Sequence, residues 1–583
     1  MNYKLIGEND ILNPREQILK NRNTTMERLN PTIEVVEDYS NYDNMDRAIK
    51  TLMHHIENNS NIGIIVDEDC DGICSSTIMY RYLKEVLNYE ADLLVHNKAK
   101  AHGISSDLNI EKGFYNLIIS PDGGTNNREE IKALEKEGTQ VLVLDHHLKS
   151  DDIEELDYGI IVNNQTSKNV ENKALCGAGV VYKFCSYIDT LLGENKADQF
   201  LDLAALGMVA DMVDLRDCET RRLIERGIKN VNNPFFSREC SAQNYSIQKK
   251  GGLMPFTISF YVAPFVNATI RMGSAQQKMV LFESMLSFKA YEQIESTKRG
   301  AKGQTEPRVE QAVRNCNSLK TKQNNNRDAG LEIILNLISQ LALDQNPVVV
   351  VKLKPEYHIS KTMTGLIANI ISNDFKRPCL ILNRVEDEET KEVSWEGSAR
   401  GYEQSALTDF RKWLLDNCPQ IMYAEGHPNA FGVGIKEADF QDFETMLYEK
   451  LRDFDFSLVY KVDAIYQADD FRDSDIVAIG GMRHFWGKMM DEPYVAIERI
   501  KLTPKNTALM SKDKSPTLKI TLPNGVSLIK FGFSEEEYND LVQPMMTTTI
   551  NVVGYCRQNA WNGRITGQIE IEDFEVLSKD YDF

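Results

Sequence analysis

The sequence has no C-x-x-C pair: its ten cysteines are scattered along 583 residues. This spacing argues against a zinc knuckle or a disulfide framework and fits a reducing cytosol, so we expect a cytoplasmic protein. No apolar run approaches the roughly 18 residues needed to span a bilayer, so no membrane segment is expected. The first residues are polar and acidic, which argues against a secretory signal there. The sequence also lacks an internal repeat and a low-complexity tract.

An excess of positive charge is also missing, since the formal net charge is −21. Taken alone, this argues against a nucleic-acid partner, because phosphate binding normally needs basic surface. This objection is weaker for a metal-dependent nuclease. In such an enzyme many of the carboxylates lie at the centre, and the cations bound there reverse the local electrostatic field. We therefore expect an acidic outer surface together with a groove lined by basic residues.

The length and composition indicate a folded protein of several domains. A chain of 583 residues exceeds what one hydrophobic core usually serves, so three or more domains are expected. Hydrophobic residues make up 42% and charged residues 26%, a balance typical of a folded protein.

Short apolar runs alternate with helical stretches in the first half of the chain. They are predicted as strands at 61–66, 117–120, 141–144 and 159–162, with a helix over 75–87. This alternation predicts a parallel sheet in an α/β domain, where ligands bind at the carboxyl ends of the strands. A mostly helical, charged stretch over 274–343 and a second α/β block over 348–451 follow. Short alternating strands from about Asp463 onward predict a small β-barrel.

Acidic clusters directly follow three of the predicted strands. They are Asp67-x-Asp69-x-Asp71-Gly72, Asp122-Gly-Gly and Asp145-His146-His147, and a lone Asp211 comes later. Carboxylates at alternating positions of one loop can converge on hard cations, and we expect Gly72 to permit a tight backbone turn. Mixed carboxylate and imidazole ligands suit manganese, and magnesium less exclusively. Two such ions, roughly 3.5–4 Å apart, would clamp a phosphodiester and activate water.

Each cluster alone has a simpler interpretation. An Asp-x-Asp-x-Asp-Gly run is often an exposed loop or a calcium site, although a calcium hand needs Glu at the twelfth position, where this chain has Ile78. Adjacent histidines are usually surface or core residues. The three clusters in order, each after a buried strand, favour a metal centre.

The clusters, in this order, resemble the DHH phosphoesterase superfamily. The resemblance implies that two metal ions are held by Asp69, Asp71, Asp122, His146 and Asp211. It also implies that Asp67 and His147 complete the catalytic site through metal contact, phosphate contact or hydrogen bonding. Gly123 departs from the family, where Asn or Cys often follows the Asp, but the ligand itself is intact.

Further segments resemble RecJ within this superfamily, namely 175–184, the stretch after Asp211 and 263–273. In the last of these, Asn267 and Arg271 match residues that bind substrate. Phe265 stands where the family has Arg, and that Arg is one of the side chains expected to contact phosphate. In the second block, GSARG and EGHPNAFG resemble the domain that faces the metals, so Ser398, Arg400 and His427 are expected to hold phosphate. Glu425 replaces the first Gly of the usual Gly-Gly-His motif. The alternative interpretation of His427 is an ordinary loop histidine whose hydrogen bonds are made within the protein.

The C-terminal segment 561–576 resembles the oligonucleotide-binding barrel of RecJ. Such barrels stack bases on aromatic side chains over a basic groove, and the candidates are Tyr555, Arg557, Trp561 and Arg564. Trp561 could equally belong to the core of the barrel.

The resemblance implies an α/β fold built from a parallel-sheet DHH phosphoesterase domain, a helical connector, a second α/β substrate-binding domain and a C-terminal OB-fold β-barrel. The expected boundaries are 1–45 (unassigned), 46–273, 274–345, 346–455 and 456–583. The implied protein is a monomeric exonuclease that uses manganese or magnesium and degrades single-stranded DNA from 5′ to 3′, releasing 5′-mononucleotides.

DNA repair, recombination or phage DNA metabolism are the settings that fit this activity, with a single-strand-binding protein or a helicase as the expected protein partner. Two alternatives stay open. One is a DHH phosphodiesterase that acts on short oligonucleotides or cyclic dinucleotides. The other is a non-catalytic replication scaffold with the DHH fold.

Overall fold

The computed structural model describes residues 1–30, 36–96, 102–108, 110–111, 113–150, 158–387, 390–487, 490–511 and 515–581. Its strands are β1 (Asn2–Leu5), β2 (Ile62–Val66), β3 (Asp92–Val95), β4 (Leu117–Pro121), β5 (Gln140–Asp145), β6 (Ile160–Asn163), β7 (Gln293–Glu295), β8 (Thr305–Pro307), β9 (Val349–Leu353), β10 (Cys379–Glu386), β11 (Val393–Arg400), β12 (Ile421–His427), β13 (Ala430–Lys436), β14 (Val459–Gln467), β15 (Tyr494–Leu502), β16 (Thr507–Met510), β17 (Thr517–Thr521), β18 (Ser527–Phe531), β19 (Met546–Trp561) and β20 (Arg564–Tyr581).

The α-helices are α1 (Pro14–Asn21), α2 (Met26–Leu29), α3 (Met45–Glu57), α4 (Cys70–Arg81), α5 (Arg128–Lys136), α6 (Gly177–Leu192), α7 (Leu201–Ala210), α8 (Cys218–Lys229), α9 (Pro234–Ala242), α10 (Asn244–Lys249), α11 (Pro255–Tyr261), α12 (Ala263–Met272), α13 (Ala275–Ser284), α14 (Arg308–Gln340), α15 (Lys361–Phe375), α16 (Phe410–Asn417), α17 (Phe440–Leu451), α18 (Asp473–Gly480) and α19 (Glu535–Leu541). Among the residues described, no helix combines the length and the apolar character needed to cross a membrane.

The chain divides into two compact units, and the division falls within α14. The first unit contains residues 22–321 with 482–492, and the second contains 1–21, 322–481 and 493–583. The predicted boundaries between five domains remain a proposal.

A five-stranded parallel sheet lies at the centre of the first unit, in the order β3-β2-β4-β5-β6. Its apolar side chains alternate between two cores: Ile64 and Ile119 pack on one side of the sheet, and Ile65 and Ile118 on the other. Both faces are therefore covered, which explains why the strands are continuous apolar runs. Since β2 pairs with β3 on one side and with β4 on the other, the strand order reverses there, and ligands bind at such switch points. The four strands predicted from the sequence are confirmed.

The predicted helical connector is not wholly helical. A two-stranded hairpin of β7 and β8 precedes α14. Between these strands, Gly300 and Gly303 have φ values of +81° and +76°, a conformation that glycine adopts easily and that ends helical periodicity.

The second unit contains two sheets. The first has the order β12-β13-β11-β10-β9; α15 contacts β10 and β11, and α16 and α17 contribute to an apolar core that includes Phe431 and Val433 of β13. The second sheet has eight strands in the order β1-β14-β15-β19-β20-β18-β17-β16. Because β1 pairs with β14, the N-terminal segment left unassigned in the sequence joins this sheet. The described pairings do not link β1 to β16, so closure into a barrel stays a prediction.

Candidate metal centre

The loop after β2 presents three carboxylates at the edge of the parallel sheet. Asp69 caps α4, accepting a hydrogen bond from the backbone N–H of Gly72 at 2.9 Å. Asp67 and Asp71 are 97–98% buried. Gly72 lies within α4, and a Cβ atom there would fall 2.5 Å from Cβ of Asp67. The sequence predicted a tight turn at Gly72, but the structure requires glycine there for close packing.

The Asp71 carboxylate is held by the start of α6. The N–H groups of Gly177 and Ala178 donate to it at 2.8 and 3.0 Å, and the Cys176 thiol lies 2.9 Å away. Unpaired N–H groups at a helix start are donors for a carboxylate, so the start of α6 holds the Asp71 side chain in place. Gly207 of α7 also leaves room for it, because a Cβ atom there would meet Asp71 Oδ1 at 2.5 Å.

Asp122 follows β4 with a backbone conformation that is uncommon for residues other than glycine. Its φ is +64°, and Gly123 and Gly124 follow. The side chain is buried, and Oδ1 makes no hydrogen bond among the described residues. A strained backbone and an unsatisfied buried oxygen both cost free energy, so they indicate a functional position.

The third cluster ends β5. Asp145 is buried and accepts hydrogen bonds from the N–H groups of Thr125 and His146 at 2.9 and 2.7 Å. Its Oδ1 also lies 2.7 Å from Nδ1 of His147, which orients that ring. The His146 ring points toward the other carboxylates, with Nε2 3.2 Å from Asp122 Oδ1 and Nδ1 3.8 Å from Asp211 Oδ2.

Two groups of side chains bring potential metal-binding atoms within 4.8 Å of one another. One consists of Asp71, His146 and Asp211, and the other of Asp122, Asp145, His146 and His147. The structure thus brings together four of the five predicted ligands and adds Asp145. Asp69 and Asp67 lie outside both groups, and their roles remain predictions.

Burial and crowding of like charges shift the pKa values here. Burial and the nearby Asp71 carboxylate raise the pKa of Asp122 well above its ordinary value and that of Asp211 to about 8. Burial lowers the pKa of His146. For Asp145, burial acts to raise the pKa, but the hydrogen bond and charge of His147 outweigh it, so the pKa lies below its ordinary value.

These residues fit divalent metal ions. Carboxylate oxygens and an imidazole nitrogen are ligands for Mn²⁺ and Mg²⁺, and a cation there would satisfy Asp122 Oδ1 and relieve the repulsion between carboxylates. His146 belongs to both groups, so two adjacent cations could share this edge of the sheet.

Two residues, Asn267 and His102, make contacts at the Asp67–Asp71 loop that the sequence analysis did not predict. Asn267 was expected to bind substrate; in the structure its Oδ1 accepts a hydrogen bond from the Cys70 N–H at 3.1 Å, which braces the Asp67–Asp71 loop. His102 contacts Asp67 Oδ2. A lone His-Gly pair gives no sequence signal for that contact. Arg271, at the end of α12, is exposed and makes no hydrogen bond or ion pair with the described residues.

The predicted phosphate-binding residues of the second unit share one face of its five-stranded sheet, and two of them share one row. In the pairing register, Arg400 of β11 and His427 of β12 both lie opposite Ala430 of β13. Ser398, two residues before Arg400, faces the same side and lies 2.9 Å from Thr364 Oγ1 of α15. His427 is exposed, and Arg400 is half-buried. Their binding role remains a proposal.

The four aromatic and basic candidates of the eight-stranded sheet also share a face. Tyr555, Arg557 and Trp561 lie at alternating positions of β19, and Arg564 pairs with Trp561. Trp561 is 75% exposed at the hairpin turn, so it is not a core residue. The Arg557 guanidinium lies 5.0 Å from the centre of the Tyr555 ring and pairs with Glu570 at 2.9 Å. The result is an aromatic and basic strip.

Comparisons with known proteins agree with this architecture. The model of the DHH family, N-terminal domain, matches residues 61–208. YorK, from the SPbeta prophage of Bacillus subtilis strain 168 and named as a single-strand DNA-specific exonuclease, is 34% identical over 99% of this chain and 98% of its own length. RecJ of the same strain, named a single-stranded-DNA-specific exonuclease, is 26% identical over 91% of this chain and 63% of RecJ.

The crystal structure of RecJ in complex with Mn²⁺ from Thermus thermophilus has a similar fold. It superimposes with a TM-score of 0.72 at 18% identity, covering 98% of this chain and 79% of that one. The match to YorK over nearly the whole chain, together with the acidic and histidine clusters, therefore places this chain in the DHH family, with YorK and RecJ among its relatives.

Proposed function

We propose that this chain is a metal-dependent exonuclease that hydrolyses single-stranded DNA from 5′ to 3′ and releases 5′-mononucleotides. The observation that carries the proposal is the convergence of Asp71, Asp122, His146 and Asp211 at the carboxyl edge of a parallel sheet. Every acidic ligand expected for a nuclease is present, which favours a catalyst over a replication scaffold.

The residues of the site suggest how hydrolysis is organised. Asp71, Asp122, His146 and Asp211 would hold two divalent ions, preferably manganese. Bound there, such ions supply charge neutralisation of the phosphate and a lowered pKa for the attacking water. The N–H groups that start α6 keep Asp71 in place, and Asp145 holds the His147 ring at the edge of the site, where it can contact the phosphate.

Two surfaces of the second unit support a long substrate over a dinucleotide. We propose that Ser398, Arg400 and His427 hold backbone phosphate. We also propose substrate contacts for Asn267 and Arg271, which belong to the first unit. The strip of Tyr555, Arg557, Trp561 and Arg564 would stack bases and contact the backbone. The 5′-to-3′ polarity and the 5′-mononucleotide product are carried over from the resemblance to RecJ, as are a monomeric state and a single-strand-binding protein or helicase as partner. A cytoplasmic location is proposed from the scattered cysteines.

One assay tests the proposal. Single-stranded and double-stranded DNA and RNA, labelled at either end, are incubated with Mn²⁺, Mg²⁺ or chelator, and substrates blocked at each end establish the polarity. We expect Mn²⁺-dependent release of 5′-mononucleotides from single-stranded DNA, prevented by a 5′ block. The Asp122→Ala variant is the control for contaminating nuclease.

Other outcomes identify the alternatives. Faster hydrolysis of dinucleotides or cyclic dinucleotides than of long strands would indicate a small-substrate phosphodiesterase. Absence of nucleotide release with every cation, together with strand binding, would indicate a scaffold. Progress from the 3′ end, or cleavage of circular single strands, would contradict the proposed polarity or the exonuclease mode.

A further inference from the structure

His102 lies at the edge of the metal centre, where it contacts Asp67 but belongs to neither candidate metal group. Its Nδ1 contacts Oδ2 of Asp67, and the N–H of the next residue, Gly103, lies 3.4 Å from the same oxygen. The loop is held further along by Asn127, whose Oδ1 accepts a hydrogen bond from the Ile104 N–H at 3.0 Å. Asp67 therefore holds one edge of the imidazole, and the contacts of the Gly103 and Ile104 N–H groups hold the loop that carries it.

The His102 ring is the outermost of three imidazoles in a row. Its centroid lies 4.6 Å from that of His147 in an edge-to-face arrangement, and the His147 and His146 centroids are 4.4 Å apart. The exposed fraction of the side chain rises along the row, from 15% for His146 to 41% for His147 and 48% for His102. The row thus leads from the carboxylates outward to the surface.

Two of these histidines have the same support. Asp67 lies behind Nδ1 of His102, as Asp145 lies behind Nδ1 of His147. A carboxylate that holds one ring nitrogen orients the ring and leaves the other nitrogen to act outward. For His102 that nitrogen is Nε2, on the opposite edge of the imidazole from Asp67.

We propose that His102 is a further catalytic residue, whose Nε2 contacts a non-bridging oxygen of the phosphodiester that is cut. The inference rests on the proposed nuclease function, since it assumes a phosphodiester substrate. Asp67 then acts as the positioning residue that orients the His102 ring. The competing interpretation is that His102 only holds Asp67 in place and never touches the substrate.

Three substitutions separate these interpretations. His102→Ala removes both ring nitrogens, His102→Asn keeps a polar group near the place of Nδ1, and His102→Gln keeps one near the place of Nε2. If His102 contacts the substrate, kcat on single-stranded DNA should fall about 100-fold in the Ala and Asn variants, as for loss of a group that stabilises the transition state. The Gln variant should stay within about tenfold of wild type, because it retains that contact. His54→Ala, an exposed histidine of α3, is the matched control and should be unchanged.

Binding gives a readout that does not depend on turnover. In Ca²⁺, which should not support turnover, fluorescence anisotropy with a 5′-phosphorylated oligonucleotide should show weaker binding for the Ala and Asn variants than for Gln. Mn²⁺ binding, measured by calorimetry, should match wild type in all three.

If His102→Asn retains kcat and His102→Gln does not, the proposal is wrong, and His102 serves only to hold Asp67 in place. If kcat of His102→Ala is within threefold of wild type, His102 has no role in catalysis. A wild-type protein without nuclease activity would instead overturn the proposed function, and the binding comparison would then decide the role of His102 separately.

Discussion

Gly177, the first residue of α6, approaches the Asp122 carboxylate so closely that a Cβ atom on it would lie 2.4 Å from Oδ1. The same residue donates its N–H to Asp71 at 2.8 Å. One glycine therefore contacts two of the four carboxylates that form the candidate metal groups. As a result, the distance between Asp71 and Asp122 depends on the position of α6.

Replacement of Gly177 by alanine should damage the metal centre without changing any ligand. The new methyl group must displace Asp122 or α6, so nuclease activity should fall by at least about 100-fold, since displacement of a ligand by about 1 Å is enough for such a loss. Calorimetric titration with Mn²⁺ should show weaker binding. Gly179→Ala is the control on the same helix, because the three atoms nearest to its added Cβ all belong to the Leu175 side chain, at 3.0–3.5 Å, and not to a carboxylate. Equal activity of the two variants would contradict the packing argument.

Asp71→Ala and Asp122→Ala should each abolish nuclease activity while the protein stays folded. Loss of one ligand removes both water activation and charge neutralisation, whereas the strip on β19 is untouched, so strand binding should largely survive. In chelator, Asp122→Ala should be more stable than wild type, because it removes a buried carboxylate from a crowded group.

The thermal midpoint provides the check on metal binding. Mn²⁺ at about 100 times its dissociation constant should stabilise wild type by about 2.7 kcal/mol per site, and the variants by much less. Asp214→Ala, which removes a carboxylate paired with Arg216, is the control. If both ligand variants keep nuclease activity within tenfold of wild type, the assignment of Asp71 and Asp122 as metal ligands is wrong.

The aromatic strip is better tested by point substitution than by truncation. A deletion from about Asp463 would cut β14 in its middle and remove β15, so β1 and the remnant of β14 would lose the rest of their sheet. Trp561→Ala should instead raise KM for long single strands by roughly tenfold and change kcat on short ones little, since stacking is worth about 1–3 kcal/mol per base. Tyr245→Ala removes an equally exposed aromatic of the first unit and serves as the control. An unchanged KM would indicate that the hairpin does not bind DNA.

Salt dependence tests the basic part of the same strip. Arg564→Gln should lower the slope of log affinity against log salt concentration by about 0.7, the value for one phosphate contact on a single strand. Arg557→Gln should lower it less, because Arg557 already pairs with Glu570. A larger change in slope for Arg557→Gln than for Arg564→Gln would show that Arg557, and not Arg564, contacts the DNA backbone.

Glu239 makes the stability depend on pH away from the metal centre. Burial in α9 raises its pKa to about 7, and its Oε2 makes no hydrogen bond among the described residues. Between pH 4.5 and 7 the unfolded chain releases this proton while the folded chain retains it, so this contribution to stability is lost as the pH rises. Glu239→Gln should therefore stabilise the protein at pH 8 by on the order of 2 kcal/mol and have little effect at about pH 4.5. Denaturant unfolding at both pH values provides the test, and equal effects at the two would contradict it.

Much of the first unit was predictable because its signals are local. Strands such as Ile62–Val66 are uninterrupted apolar runs, and each acidic cluster directly follows one of them. The rule that parallel strands present their carboxyl ends at one edge was enough to bring Asp71, Asp122 and His146 together. The same rule does not predict that Asp145 joins the group of Asp122, His146 and His147, or that Asn267 holds the Asp67–Asp71 loop. Both contacts depend on where side chains point after the helices pack.

The sequence by itself determined the ligand types, their order and the α/β class, since these follow from residue chemistry and from periodicity over short stretches of chain. Only the tertiary structure decided that Gly177 and Gly207 leave room for two carboxylates, that His102 contacts Asp67, and that Asn2–Leu5 joins a sheet whose other strands begin at Val459. These contacts join residues that lie far apart along the chain, and no local propensity selects such partners. They arise when buried groups must find the arrangement that fills space and satisfies their hydrogen bonds.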